Sequence, residues 1–147
     1  EKATAETIEN NVRKLIIDET PINPKYYEKM SELLDALIEQ RKQKAIDYQK
    51  YLETVVELTR QIKGGPSAGG YPASMNKPAL RALYDNLGRD ESLALRVDQA
   101  VRTSMQDGWR DNKLKAKRVR QAIEGVLGND QGKVDRTLAL VRSQHDY

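Results

Sequence analysis

Cysteine is absent from the 147 residues, so the chain can form no disulfide, no thiolate metal site and no thiol nucleophile. Phenylalanine is also missing and tryptophan occurs once, so a core has to be built from Leu, Ile, Val, Ala and Met, helped by some of the seven tyrosines. The sole histidine, His145, sits next to the C-terminal end, where a frayed tail is expected, and a catalytic triad is left without a credible base. No apolar run approaches the roughly 20 residues that span a bilayer, and no signal-peptide pattern opens the chain. No membrane partner is therefore expected, and the lack of cysteine is compatible with the cytosol. Sustained two-residue alternation is missing as well, which argues against strands. The first residue is Glu1 rather than Met, and we expect a piece of a longer protein.

What is present is charge. Charged residues make up 32% and the mean hydropathy is −0.76, which suits thin amphipathic helices with wide wet faces. The expectation is an all-α fold in a single helical domain, 1–147. A helix and helical hairpin would occupy 1–62, a flexible link 63–74, and a basic helical half with about four short helices 75–147. Ile8, Val12, Leu15 and Ile16 mark a helix over about 4–18. Asn23-Pro24 then offers a cap followed by a proline in the first turn, where no hydrogen bond is lost. The stripe Tyr26, Tyr27, Met30, Leu33, Leu34, Leu37, Ile38 lapses over Gln40–Lys44 and resumes at Tyr48, Tyr51, Leu52, Val55, Val56 and Ile62. With Asp47 placed to cap the second run, an antiparallel hairpin (24–42 and 47–62) is favoured over one long coiled-coil helix.

Lys63-Gly64-Gly65-Pro66-Ser67-Ala68-Gly69-Gly70 reads as a flexible link rather than a phosphate loop, because neither the G-x-x-x-x-G-K-[ST] spacing nor a preceding strand is there. Beyond it, Pro78 opens a short helix that buries Leu80, Leu83, Tyr84 and Leu87, with Gly88 suited to the left-handed position after its end. Asp90 caps a helix running to Gly108, Asn112–Leu127 forms another, and Asp130 opens a last one that frays over Ser143–Tyr147. Carboxylate pairs such as Asp85 with Asp90, or Asp107 with Asp111, are better explained as caps and surface charge than as metal ligands. Asp47-Tyr48-Gln49-Lys50 lacks the partner acid and the strand of a nuclease site. No catalytic residue and no metal site is assigned.

The charge is unevenly placed. Residues 1–62 carry 10 Lys/Arg against 12 Asp/Glu, whereas 63–147 carry 15 against 10. Within the second half, Trp109–Arg120 holds six cations and one acid. At 100° per residue, Ala116, Val119, Ile123, Val126 and Leu127 share one arc, and Lys113, Lys117 and Arg120 line up beside it. Arg118 projects away, Lys115 lies at the edge of the apolar arc, and Arg110 precedes the helix. Glu124 weakens the field at the far end. Such a row can follow a phosphate backbone, so Arg110, Lys113, Lys117, Arg118 and Arg120 are the candidate contacts to duplex DNA, without sequence choice. Trp109 could stack on a base, though a lone tryptophan is more often core. The competing reading is a protein-docking domain with no DNA contact, presenting Tyr26, Tyr27, Tyr48 and Tyr51, although at this spacing tyrosines are more often core.

Several separated runs carry a further signal: Ile8-Glu9-Asn10-Asn11-Val12-Arg13, Asn23–Met30 (NPKYYEKM), Leu33–Ile38 (LLDALI), Pro78–Tyr84 (PALRALY) and Asp107-Gly108-Trp109-Arg110. Together, and in this order, they resemble the C-terminal region of the restriction, or motor, subunit of type I restriction-modification enzymes, the IC-like subgroup most of all. The resemblance implies a bacterial, cytoplasmic parent with a nuclease domain and two helicase-like domains that use ATP and magnesium to pump DNA. None of those motifs lies in these residues, so no cofactor is expected on this chain. It also implies docking onto the methyltransferase core, made of modification and specificity subunits, and contact with other domains of the parent.

Overall fold

The computed structural model describes residues 2–147. They form seven helices: α1 (Lys2–Glu19), α2 (Pro24–Lys42), α3 (Tyr48–Gly64), α4 (Pro78–Asn86), α5 (Glu91–Ser104), α6 (Lys113–Leu127) and α7 (Gln131–Arg142). Short 3-10 turns cover Thr20–Ile22 and Trp109–Asp111. Among the described residues there is no strand, and the fold is all-α as the periodicity predicts. The chain divides into two compact units. One takes the residues up to Thr20 together with Pro24–Ser67, the other Pro21–Asn23 together with Ala68–Tyr147.

In the first unit α1, α2 and α3 pack against one another. Buried positions recur every three or four residues: Val12 and Ile16 on α1; Tyr27, Met30, Leu34 and Leu37 on α2; Tyr51, Val55, Leu58 and Ile62 on α3. Each fully buried Leu or Ile here contributes about 2 kcal/mol of transfer free energy. The break between α2 and α3 is chemical. The Lys44 amide donates to the Arg41 carbonyl (3.1 Å) and the Ala45 amide to that of Gln40 (2.9 Å), with Lys44 in the left-handed region at φ +56°. That pair of bonds closes a helix end. Asp47 then caps α3 by accepting from the Lys50 amide at 2.8 Å, and a single long helix is ruled out.

The tyrosines finish the hairpin. Tyr26 donates to the Gln61 carbonyl (3.0 Å) and Tyr27 to that of Ile62 (2.9 Å), both in the last turn of α3, whose carbonyls have no partners within the helix. At the opposite end Arg41 donates twice to Glu9, through Nε (2.6 Å) and Nη2 (2.9 Å), while the Tyr51 hydroxyl donates to Glu9 Oε2 (2.8 Å). One carboxylate thus ties α1 to both helices of the hairpin. Burial would raise its pKa, but the Arg41 and Tyr51 bonds with the Arg41 charge hold it below the usual carboxylate range.

In the second unit α5 packs on α4 and α6, and α7 on α6 and α4. Leu80, Leu83, Ala94, Val97, Val101, Trp109, Val119, Ile123, Val134 and Val141 build its core. Gly88 takes φ +74° just past α4, and the Arg89 amide closes back onto the Tyr84 carbonyl at 2.8 Å. Two expectations need correcting. α5 stops at Ser104, not Gly108, where the Thr103 and Ser104 hydroxyls bond back to carbonyls of the preceding turn and Met105 turns extended. The last residues are latched rather than frayed. Tyr147 donates to Asp98 and lies under the Arg102 guanidinium (5.0 Å), Asp146 accepts from the Ala79 amide (3.0 Å), and the Gln144 side chain donates to the Ile22 carbonyl (2.7 Å). Asp146 supplies the cap that Lys77, at the start of α4, does not provide.

Asp85 gathers the approaches to α4. It accepts from Asn23 (3.0 Å), from Tyr71 and from Arg89 (3.0 Å), while Asn86 donates to Asn23 (2.7 Å). The stretch expected to be a flexible link begins inside α3, which runs to Gly64, and by Gly70 it is tied to the turn after α4: Arg89 donates to the Gly70 carbonyl at 3.0 Å.

Candidate nucleic-acid interface

α6 starts where the sequence places it, with Asn112 accepting from the amides of Leu114 (3.0 Å) and Lys115 (3.1 Å), and it ends at Gly128 with φ +83°. Its buried face is centred on Val119 and Ile123, with Ala116, Val126 and Leu127 half-buried around them. That arc fixes where each cation goes.

Lys113, Lys117 and Arg118 are exposed and make no side-chain hydrogen bond or ion pair among the described residues. Lys113 and Lys117 are one turn apart on the side toward α7, and Arg118 stands on the outer face near Leu114, which is 76% exposed. Arg120 behaves differently. Its guanidinium is spent on α7, pairing with Asp135 and donating to Gln131 Oε1 at 2.7 Å, while Gln131 donates in turn to Glu124 (3.0 Å). Arg120 is a fastener between two helices, and the expected row Lys113–Lys117–Arg120 loses its third charge.

Arg110 is likewise internal. It donates to the carbonyls of Arg142 (2.9 Å) and Gln144 (2.7 Å), at the C-terminal end of α7, where a cation complements the unsatisfied carbonyls. Arg142 returns a bond to the Arg110 carbonyl (2.6 Å), and both guanidiniums lie over the Trp109 ring, at 5.0 and 5.5 Å from its centroid. Trp109 is 3% exposed, so its ring is core and is not presented to a base. Lys115 reaches back to the Asp107 carbonyl (2.7 Å), tying α6 to the turn before it.

Of the tyrosines considered for docking, Tyr27 and Tyr51 are buried; Tyr26 and Tyr48 are half-buried. Tyr26 packs edge-on against Tyr27 (5.0 Å) and Tyr48 stacks on Tyr51 (5.9 Å, 19° between planes). Burial pushes the Tyr27 hydroxyl up to about 12, with Glu19 and Tyr26 adding to it. Of the carboxylates weighed as metal ligands, Asp85 is bonded as described and Asp90 accepts from the Leu93 amide at 3.0 Å to cap α5. Among the described residues no three His, Cys, Asp or Glu side chains converge on one point, and no helix is long and apolar enough to cross a membrane.

Comparison with protein-family models, with curated proteins and with solved structures finds no match to this chain.

Proposed function

We propose that the chain is a non-catalytic helical module that makes sequence-independent contact with duplex DNA through Lys113, Lys117 and Arg118. The observation that carries this is their state in the fold. The other prominent cations of the Trp109–Arg120 stretch, Arg110, Lys115 and Arg120, are bonded internally, whereas these three project from a well-anchored helix with nothing to neutralise them. Lys113 and Lys117 are about 6 Å apart along the helix axis, close enough to contact neighbouring phosphates. On the separated sequence runs given above, we place the module at the C-terminal end of a motor subunit of a type I restriction enzyme in the bacterial cytoplasm. There it would join the motor to the modification and specificity subunits, and ATP and magnesium would act on the parent's other domains.

The test compares the wild-type chain with Lys113→Glu/Lys117→Glu/Arg118→Glu on non-specific duplex DNA across a salt series. The expected slope of log K against log salt is roughly −2.7 for three phosphates at about −0.9 each, and the triple variant should lose it. Equal binding by both, or none by the wild type, refutes the DNA reading. The second reading, docking onto protein alone, is favoured by the exposure of Leu114 amid these cations. Leu114→Ser in the parent subunit would then reduce assembly measured without DNA.

A further inference from the structure

A second cationic feature lies in the first unit, in the half of the chain where acids outnumber bases. A cleft of about 460 Å³ opens where α1 begins, α2 ends and α3 starts, lined by Lys2, Arg41, Lys42, Lys44, Ala5, Ile46, Tyr48 and Tyr51. Its volume is within the roughly 300–1,000 Å³ of small-molecule sites. Four of these side chains are cationic and none is acidic, although residues 1–62 carry 12 Asp/Glu. Arg41 is spoken for by Glu9 beneath the floor. Lys2, Lys42 and Lys44 are exposed and make no ion pair among the described residues.

Two features make this more than stray surface charge. Lys44 holds the left-handed position that ends α2, at φ +56°, a conformation that glycine or asparagine adopts with less strain. That turn sets the Lys44 side chain beside the cleft. The second feature is the apolar part of the wall. Ile46 and Tyr48 are half-buried, Ala5 and Tyr51 are buried, and the Tyr48 ring is held flat against Tyr51. A bare inorganic anion would use the lysines and waste that wall; a neutral ring would leave Lys2, Lys42 and Lys44 with no acidic side chain in the lining to balance them.

We propose that this cleft binds a small planar ring carrying a phosphate monoester, the chemistry shared by a nucleoside monophosphate and a simple aryl phosphate. The ring would lie against Tyr48 and Ile46, and the phosphate would draw on Lys2, Lys42 and Lys44, each acting as a point charge. The Tyr51 hydroxyl gives its hydrogen to Glu9, so it has none to donate to the phosphate.

The experiment is calorimetric titration of the full chain with AMP, phenyl phosphate and inorganic phosphate. Saturable one-site binding of either ring phosphate, at least about tenfold tighter than inorganic phosphate, is the expected result, and whichever is tighter names the source. Lys42→Glu/Lys44→Asn should weaken it by about tenfold or more, since the asparagine keeps the left-handed turn and neither lysine bonds elsewhere. Tyr48→Leu should weaken the ring phosphates but leave inorganic phosphate unchanged. Lys117→Glu, which removes a proposed DNA contact on α6, should leave the affinity for the ring phosphates unchanged. The proposal is overturned if neither ring phosphate saturates, if inorganic phosphate binds as tightly, if the double variant binds like wild type, or if Lys117→Glu abolishes binding.

Discussion

Replacing Glu9 by leucine should be among the most damaging single changes in the first unit. The Glu9 side chain is 6% exposed and that of Arg41 15%, and the carboxylate holds both Arg41 and Tyr51. Removing one member of a buried pair typically costs 3–5 kcal/mol, because the survivor remains charged and desolvated. Arg41 lines the open cleft and can turn partly to water, so the lower end, about 3 kcal/mol, is expected. The double change Glu9→Leu/Arg41→Leu should recover most of this, to within about 1 kcal/mol of wild type, with the unpaired Tyr51 hydroxyl as the remaining cost. Urea unfolding followed by far-UV circular dichroism measures both, and the coupling energy in the cycle should exceed about 1 kcal/mol. The same pair sets a pH dependence. Glu9 is held below its ordinary 4.5 in the folded state, so its contribution is fully present above pH 4.5 and is lost as pH falls below that value through the folded pKa. A Glu9→Leu cost below about 1 kcal/mol, a double change worse than the single one, or a cost independent of pH on acidification would refute the reasoning.

Tyr27→Phe should cost about 1 kcal/mol by leaving the Ile62 carbonyl at the end of α3 without its donor, read from thermal or urea unfolding. Because Tyr27 is raised from 10 to about 12, the unfolded chain ionises first. Its contribution is intact below pH 10 and lost as pH rises toward 12, and the phenylalanine variant should lack that part of the alkaline transition. Deleting Asp146 and Tyr147 should destabilise the second unit by about 2 kcal/mol, since it removes the cap on the Ala79 amide and the bond to Asp98; unchanged Trp109 fluorescence midpoints in urea would contradict the latch. Arg120→Ala should lower stability by up to about 1 kcal/mol with little effect on DNA affinity, whereas Lys117→Glu should do the reverse. Parallel melting and DNA titrations separate the two roles.

Most helix boundaries, though not the end of α5, were legible because their signals are local. Asp47, Asp90, Asn112 and Asp130 cap the helices that follow them, and Gly88 and Gly128 end the ones before. A short polar side chain beside free amides, or a residue without Cβ where φ is positive, acts within three or four residues. The amphipathic period likewise named most of the core, including Val119 and Ile123 beneath the basic helix. The C-terminal latch was not legible, since Tyr147 finds Asp98 and Asp146 finds Ala79 only after α4, α5 and α7 have packed.

The partition of the charges followed the same division. Sequence alone determined that α6 would carry a dense set of cations beside a buried arc, because the face of each residue follows from 100° per residue. Only the tertiary structure decided which of them remain available. Arg120 and Lys113 occupy adjoining positions on the helical wheel, yet Arg120 meets Asp135 and Gln131 of α7, while Lys113 makes no side-chain hydrogen bond or ion pair among the described residues. Arg110 found the carbonyl end of α7. Lys2, Lys42 and Lys44, spread over two helices and a turn, line one cleft once the hairpin has closed against α1. A helix period sets direction, but whether a charge is neutralised depends on what another element brings within about 4 Å of it, and that distance is set by packing.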